Sequence, residues 1–385
     1  MGLRDVVLRE WRELATINPS DRPWQMPFAA AASSGLSVVV GVASGHMIEG
    51  VIASLGALTF LYLPATALHH RMGMLLACSF GMVTCYSLGM FGAFAPAARV
   101  PLIGIATMLA TMVARYYRLG PPGGLFFVMA AAIGAYSPQS LPDIPMRVGL
   151  IALGAMGACA VALVYSAYIL SRRPAAPMPP SPVAEFERVW LDSVVIGVFV
   201  AMSLGIAQIL GLEKPYWVPV SCLAIIQGMS IRAAWNRQVH RILGTAIGLA
   251  VAAALLSVVD TPWAVAAGII VLTFLIETAV VRHYGFAVIF ITPLALLLAE
   301  APTLGHADIG GLITARFLDT VVGSIMGFLG AMCLHNPNAR LRMGGWLRRI
   351  LPARLIESDE RSVVTVGSHG SPLSTDKPGI QKRKM

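Results

Sequence analysis

The feature that most constrains this 385-residue chain is a series of long apolar blocks with few or no charged residues. The blocks are roughly 15 to 24 residues long, which is the length that an α-helix needs to cross about 30 Å of hydrocarbon. Charged residues make up only 12% of the sequence, about half the share that covers the surface of a soluble domain. The sequence therefore predicts an all-α polytopic membrane protein.

The apolar blocks predict about twelve transmembrane helices, some of them short or broken, arranged as two six-helix membrane repeats at residues 24–170 and 189–335. A Pro-rich cytoplasmic linker, residues 171–188, joins the repeats. Residues 1–23 carry an apolar stripe at helical spacing and predict a cytoplasmic amphipathic segment. Residues 336–385 predict a basic cytoplasmic tail that is partly disordered. The predicted spans are residues 27–45, 51–64, 72–91, 100–114, 123–138, 147–170, 190–211, 216–229, 241–259, 263–281, 284–300 and 312–334.

The distribution of Lys and Arg predicts how the chain is oriented in the membrane. Before the C-terminal tail, 14 of these residues fall in segments on the side of the N-terminus and 4 fall on the other side. Because positively charged loops stay in the cytoplasm, both termini are expected there. The formal net charge of +9 is thus explained by topology, and nucleic acid is not an expected partner.

Four arginines indicate an internal repeat. Arg71 lies 76 residues before Arg147, and Arg241 lies 75 residues before Arg316. Each opens a long Gly-rich span and follows a segment that is short or interrupted. Short segments at matching places in two halves are typical of a transport site, since their unsatisfied backbone groups need a cavity or a partner. For Arg71 and Arg241, the alternative is that the side chains snorkel to lipid headgroups.

Arg147 and Arg316 are the stronger candidates for binding a substrate, because they lie on the predicted outer side, against the usual distribution of positive charge. A guanidinium binds a carboxylate through two parallel hydrogen bonds, so an organic anion is the expected substrate. The alternative is a purely structural ion pair, which Arg147 can form with Asp143 and Arg316 with Asp319. Asp143 and Asp319 are therefore candidates for ion pairing or proton coupling.

Three further residues are candidates on chemical grounds. Glu277 lies inside the tenth predicted span, where a carboxylate either relays protons or pairs with a cation from another helix. Tyr216 and Trp217 lie near the outer interface, where an aromatic belt is the ordinary explanation and stacking on an aromatic substrate is the alternative.

The second half resembles the fusaric-acid-resistance-like (FUSC) family of aromatic acid exporters. The stretches that carry the resemblance are Tyr216–Pro219 (YWVP), Ala234–Arg237 (AWNR), Arg241–Gly248 (RILGTAIG) and Arg316–Asp319 (RFLD). In the first half, Ile52–Leu58 and the run from Pro64 to Arg71 resemble the corresponding region of the family.

The resemblance implies proton-coupled efflux of aromatic or related weak organic acids across the bacterial inner membrane. Two alternatives are a passive anion channel, as in distantly similar plant malate channels, and a membrane scaffold without transport. The chain departs from the family in its short linker and in Met74, which stands where the second half has Gly244. Expected partners are a small anionic organic substrate and membrane lipid, together with either an oligomeric partner or a periplasmic adaptor.

Motifs for ATP-driven transport and for catalysis are missing from the sequence. No lysine follows a glycine, as a Walker loop requires. The sequence also contains no HExxH, no GxSxG and no paired-cysteine metal spacing. We therefore expect neither enzymatic activity nor a metal or other cofactor.

Overall fold

The computed structural model describes residues 16–137, 140–178, 186–300 and 309–336. Over these ranges the chain is all-helical. The predicted amphipathic stripe within residues 1–15 and the tail from residue 337 onward lie outside the described residues. The α-helices of the described part are α1 (Gln25–Ala43), α2 (Met47–Ala57), α3 (Leu68–Phe94), α4 (Arg99–Tyr116), α5 (Leu125–Tyr136), α6 (Asp143–Leu170), α7 (Phe186–Ile209), α8 (Trp217–Ile226), α9 (Ile231–Leu256), α10 (Pro262–Ala279), α11 (Tyr284–Glu300) and α12 (Ile309–His335).

Eight of the described helices are long and apolar enough to cross a membrane, namely α1, α3, α4, α6, α7, α9, α10 and α12. The shorter apolar helices are α2 (continued by a 3₁₀ turn, Leu58–Tyr62), α5, α8 and α11. They lie at the four places where the sequence predicts short or interrupted spans. Large apolar side chains such as Phe80 and Val164 remain exposed on the long helices, as expected for side chains that contact lipid. The chain is a multi-pass membrane protein.

Helix packing follows the same scheme before and after the linker. In the first half, α3 packs against α5 and α6, and α2 packs against α6; in the second half, α9 packs against α11 and α12, and α8 packs against α12. The two halves meet mainly along α4 with α7 and along α10 with α1, and α5 also packs against α8. The first helix of each half therefore packs against the fourth helix of the other.

Glycines allow the short helices to approach the long ones closely. A Cβ on Gly154 of α6 would overlap the carbonyl of Ala53 on α2, and a Cβ on Gly323 of α12 would overlap the carbonyl of Val218 on α8. Membrane helices associate through such small-residue contacts, because lipid offers no hydrophobic driving force between them. These two equivalent contacts fix the place of α2 in the first half and of α8 in the second.

The largest boundary difference is at α9, which begins at Ile231 although the apolar span was predicted from residue 241. Ser230 caps this helix, since its Oγ accepts a hydrogen bond from the amide of Ala233 at 3.1 Å. The added turns carry Arg232 and Arg237, so a hydropathy criterion excludes them although they are helical. As a result Arg241 lies three turns inside a helix rather than at its end.

Two ion pairs join the halves at the end of the bundle predicted to face the cytoplasm. Arg22, just before α1, places Nη2 2.9 Å from Oε2 of Glu277 on α10. Arg115 on α4 places Nη1 2.6 Å from Oδ2 of Asp192 on α7. Within the described residues, the α1–α10 and α4–α7 interfaces thus each carry one of these pairs, and the acid belongs to the second half in both cases.

Candidate functional site

The short helix α8 is the centre of the candidate site. All ten of its residues are buried, and it packs against α5, α7, α9 and α12. Ten helical residues extend only about 15 Å, half the thickness of the hydrocarbon layer. One or both ends of α8 therefore lie at membrane depth, and the side chains around it are held inside the protein.

Arg316 approaches α8 from α12, a little over two turns into that helix. The residue is only 3% exposed, and its guanidinium carbon lies 4.2 Å from the ring centroid of Trp217, the first residue of α8. Nε and Nη1 of Arg316 are buried without a hydrogen-bond partner. A guanidinium that lies over an aromatic ring contacts the ring through the flat face of the guanidinium. The N–H donors lie in the plane of the guanidinium, so they remain available to an anion.

Arg241 approaches the same short helix from α9. It is 4% exposed, and its Nη2 donates a hydrogen bond to Oγ of Ser221 at 3.2 Å. Nη1 lies 3.5 Å from the hydroxyl of Tyr284, and Nε is buried without a partner. Ser221 follows Trp217 by one helical turn, or about 6 Å along the axis. Two buried guanidinium groups thus contact α8 one turn apart.

Asp319 completes the group of charges one turn after Arg316 on α12. The residue is 0% exposed, and neither carboxylate oxygen has a hydrogen-bond partner. The i, i+3 ion pair with Arg316 that the sequence allows does not form a direct contact in the described structure, since both side chains keep unpartnered polar atoms. A buried charge without a partner costs several kcal/mol, so the arginines here favour an anion and Asp319 favours a cation or a proton.

Counting charges shows what kind of ligand the site can hold. Arg241 and Arg316 bring two positive charges and Asp319 brings one negative charge. Glu213 and Lys214, on the loop before α8, are also within electrostatic range of Asp319, and their charges cancel. The net charge is therefore +1, which one monoanion neutralises.

Tyr216 and Trp217 lie at the N-terminal end of α8, where they join a larger group of rings. The centroids of the Tyr216 and Trp217 rings are 5.4 Å apart, and Tyr216 lies 5.8 Å from Tyr136 of α5. The Tyr136 hydroxyl accepts a hydrogen bond from Nε2 of Gln208 at 2.6 Å. Sequence reasoning missed Tyr136, because nothing in its local pattern shows that the end of α5 meets α8.

The first-half candidates lie apart from this group. Arg71 is buried, but its Nε donates to the carbonyl oxygen of Thr66 at 2.6 Å and its Nη1 to Oγ of Ser166 at 3.3 Å. Snorkelling to lipid therefore does not describe Arg71, which ties the start of α3 to α6. Arg147 is partly exposed and lies within electrostatic range of Tyr86.

Asp143 and Glu277 have partners of their own. Oδ2 of Asp143 accepts hydrogen bonds from the amide and the hydroxyl of Ser140, at 2.8 and 2.9 Å, in the turn that opens α6. Glu277 is buried in α10 and forms the ion pair with Arg22. The sequence indicated that a partner for Glu277 has to come from another element, and that element is the segment that precedes α1.

Comparison with known proteins supports the resemblance in the second half. Residues 195–330 match the sequence model of the fusaric acid resistance protein-like family. The chain is 33% identical over 141 residues to the uncharacterized membrane protein YvaC of Bacillus subtilis (strain 168), an alignment that covers 37% of this chain and 22% of that protein. The chain thus spans about a fifth of the length of that relative. No solved structure matches the chain with significance.

Proposed function

We propose that this chain, whose second half matches the fusaric acid resistance protein-like family, is a secondary transporter that exports aromatic or related organic monoanions across the bacterial inner membrane. Both termini then face the cytoplasm. The observation that carries the proposal is the pair of buried guanidinium groups, Arg241 and Arg316, with unpartnered N–H donors beside one short helix. In a membrane interior these donors favour a carboxylate, which arginine binds in a bidentate geometry.

The repeated packing scheme supports two six-helix repeats of the same orientation. Each half contributes a short second helix held against its sixth helix by a glycine, and each half packs its first helix on the fourth of the other. Duplicated membrane halves that meet at two equivalent interfaces can rock against each other around a central site. Such motion is what alternating access requires.

The burial of the site favours a transporter over an open channel. Arg316 and Asp319 are 3% and 0% exposed, whereas the lining of an open pore is in contact with water. An anion therefore reaches Arg316 after the helices move. Flux then proceeds through discrete closed states, so it can be coupled to a second ion.

Asp319 is the proposed coupling carboxylate. It is fully buried, has no hydrogen-bond partner and lies one turn from Arg316, so gain or loss of its proton changes the charge that a substrate meets. Glu277, the other buried acid on the candidate list, already pairs with Arg22 at 2.9 Å. We assign Glu277 to holding the halves together.

The test uses purified full-length protein in liposomes with radiolabelled benzenesulfonate, an aromatic anion that stays charged at all working pH values and does not diffuse through lipid as a neutral acid. With K⁺ and valinomycin holding the membrane potential at zero, a gradient of one pH unit is expected to drive about tenfold accumulation at 1:1 coupling, since tenfold corresponds to ~1.4 kcal/mol. Arg316→Ala should abolish this flux, and Arg316→Lys should reduce it. Arg282→Ala, at an exposed position at the end of α10, is the matched control.

The outcomes separate the three functional classes. Flux without accumulation identifies a passive channel. Absence of flux in the wild-type protein identifies a scaffold. Wild-type accumulation that persists in Arg316→Ala rejects the assigned site.

A further inference from the structure

A continuous line of contacting aromatic side chains, each tilted against the next, leads from the outer surface to Arg316. Tyr136, Tyr216 and Trp217, called the ring line below, have successive centroid distances of 5.8 and 5.4 Å. Arg316 lies over the inner end of the line, 4.2 Å from the Trp217 centroid. Arg99 lies over its outer end, 4.7 Å from the Tyr136 centroid. A guanidinium thus stands at each end of three aromatic rings.

Exposure falls steadily along this line. Gln208, which binds the hydroxyl of Tyr136, is exposed; Tyr136 and Tyr216 are half-buried; Trp217 and Arg316 are buried. An aromatic belt at a membrane interface keeps its rings at the headgroup level. The ring line instead runs inward to the charged site, so a belt does not explain its arrangement.

Both halves of the protein contribute to the line. Tyr136 ends α5 of the first half, whereas Tyr216 and Trp217 open α8 of the second half. Arg99 is held in place because its Nη2 donates to the carbonyl oxygen of Ala93 at 3.1 Å, near the end of α3. Movement of one half against the other therefore changes the contact between the rings of Tyr136 and Tyr216.

We propose that the ring line is the outer access route to the Arg316 site and selects anions that carry a flat conjugated ring. This inference rests on the proposed function and assigns Tyr136 as a specificity-determining residue. Because the Tyr136 hydroxyl accepts its hydrogen bond from Gln208, its own proton is available to donate to a passing anion. When the halves move apart, Tyr136 and Tyr216 lose their contact with each other. A conjugated ring on the substrate can replace that ring–ring contact, whereas a saturated ring of the same size cannot.

The experiment compares liposome flux of two permanently charged anions, benzenesulfonate and cyclohexanesulfonate, which differ in the conjugation of the ring. Tyr136→Leu keeps an apolar side chain and removes the ring. It should slow benzenesulfonate about fivefold, the factor that corresponds to the loss of ~1 kcal/mol of stacking. Cyclohexanesulfonate flux should change less than twofold. Tyr136→Phe keeps the ring and should keep the selectivity for benzenesulfonate.

The matched control is Tyr168→Leu. Tyr168 lies near the other end of the bundle, on α6, and Arg172 covers its ring at 4.6 Å. This variant loses a tyrosine and a cation–ring contact without touching the ring line. Both anions should move through it at wild-type rates.

Two results overturn the inference while leaving the proposed function intact. Equal slowing of both anions by Tyr136→Leu assigns Tyr136 to packing, and unchanged flux of both places it outside the route. Arg316→Ala distinguishes the proposed function from the proposed access route. Loss of both fluxes in this variant supports the Arg316 site, independently of the result for Tyr136→Leu. Retention of both fluxes in Arg316→Ala rejects the proposed function, and the ring line then leads to no site.

Discussion

The sixth helices of the two halves, α6 and α12, share a backbone arrangement but differ in chemistry. Gly154 and Gly323 make the same close contact with a short helix, each seven residues after an arginine. Arg147 of α6 is partly exposed, whereas Arg316 of α12 is buried beside an aromatic ring. The same backbone arrangement therefore holds a partly exposed arginine in one half and a buried arginine in the other.

The residues around the two arginines explain this difference. Three residues after Arg316 stands Asp319, but three residues after Arg147 stands Leu150. The residue before the contacted carbonyl is Trp217 in α8 and Ile52 in α2. The first half thus lacks both the aromatic face and the second charge.

The largest predicted effect is a difference between the two arginines. Arg316→Ala should weaken binding of an aromatic anion at least ~30-fold, because removing one partner of a buried charge interaction costs about 2–5 kcal/mol. Arg147→Ala should change affinity less than about threefold, as for a solvent-screened charge. Equilibrium binding of radiolabelled benzenesulfonate to detergent-purified protein measures both. Equal losses in the two variants would show that both halves hold substrate.

The next largest effect is the loss of stability when a glycine between a short and a long helix is replaced by alanine. This loss should be equal in the two halves. Gly154→Ala and Gly323→Ala each place a Cβ against a backbone carbonyl, and overpacking of this kind costs ~2 kcal/mol. Thermal unfolding in detergent should show a similar decrease in midpoint for both variants. Gly73→Ala, on a helix surface where a Cβ meets nothing within 4 Å, serves as the control. A large decrease for one glycine only contradicts the equivalence of the two contacts.

Asp319→Asn tests whether the second charge couples transport to protons. The variant keeps the size of the side chain and removes its titration, so a gradient of one pH unit should no longer produce the ~1.4 kcal/mol, or tenfold, accumulation. Downhill exchange of benzenesulfonate should continue. Leu150→Asn places the same amide at the corresponding position of the first half and should leave accumulation unchanged. Wild-type accumulation in Asp319→Asn would assign coupling to another group.

The smallest effects belong to the two ion pairs between the halves. Both carboxylates are buried, but Arg22 and Arg115 are partly exposed, so each pair is expected to contribute at most ~1 kcal/mol. Arg22→Glu and Glu277→Arg should each lower the unfolding midpoint, and the double exchange should recover most of the loss. A double-mutant cycle with no coupling energy rejects a direct role for this pair.

Local composition made much of the architecture predictable. Each long apolar block became a helix, and the four segments predicted to be short or broken became the four shorter helices, because helix length follows directly from the number of apolar residues. Hydropathy failed at α9, where the helix extends through Arg232 and Arg237 beyond the apolar region. A capped helix continues through polar residues as long as nothing in the backbone stops it.

The candidate site was only partly predictable. Arg316 and Asp319 share one helix, so their proximity follows from an i, i+3 spacing. The contacts of Arg241 with Ser221 and of Tyr216 with Tyr136 join different helices. No local pattern encodes which helices become neighbours, so these contacts required the tertiary structure.

The sequence by itself determined a multi-pass helical protein, the places of its short helices and the arginines that carry unusual charge for their depth. These properties follow from the lipid bilayer as the surrounding medium. Its hydrocarbon core excludes charge, and every backbone N–H and C=O group within it must be hydrogen-bonded inside the protein. Only the tertiary structure decided that Arg316 lies buried on Trp217, that Glu277 pairs with Arg22 and that Tyr136 of the first half meets Tyr216 of the second. These contacts depend on packing between segments that are distant in the sequence. Many helix arrangements would bury the same apolar residues, and the glycine contacts together with the pairing of the halves select one of them.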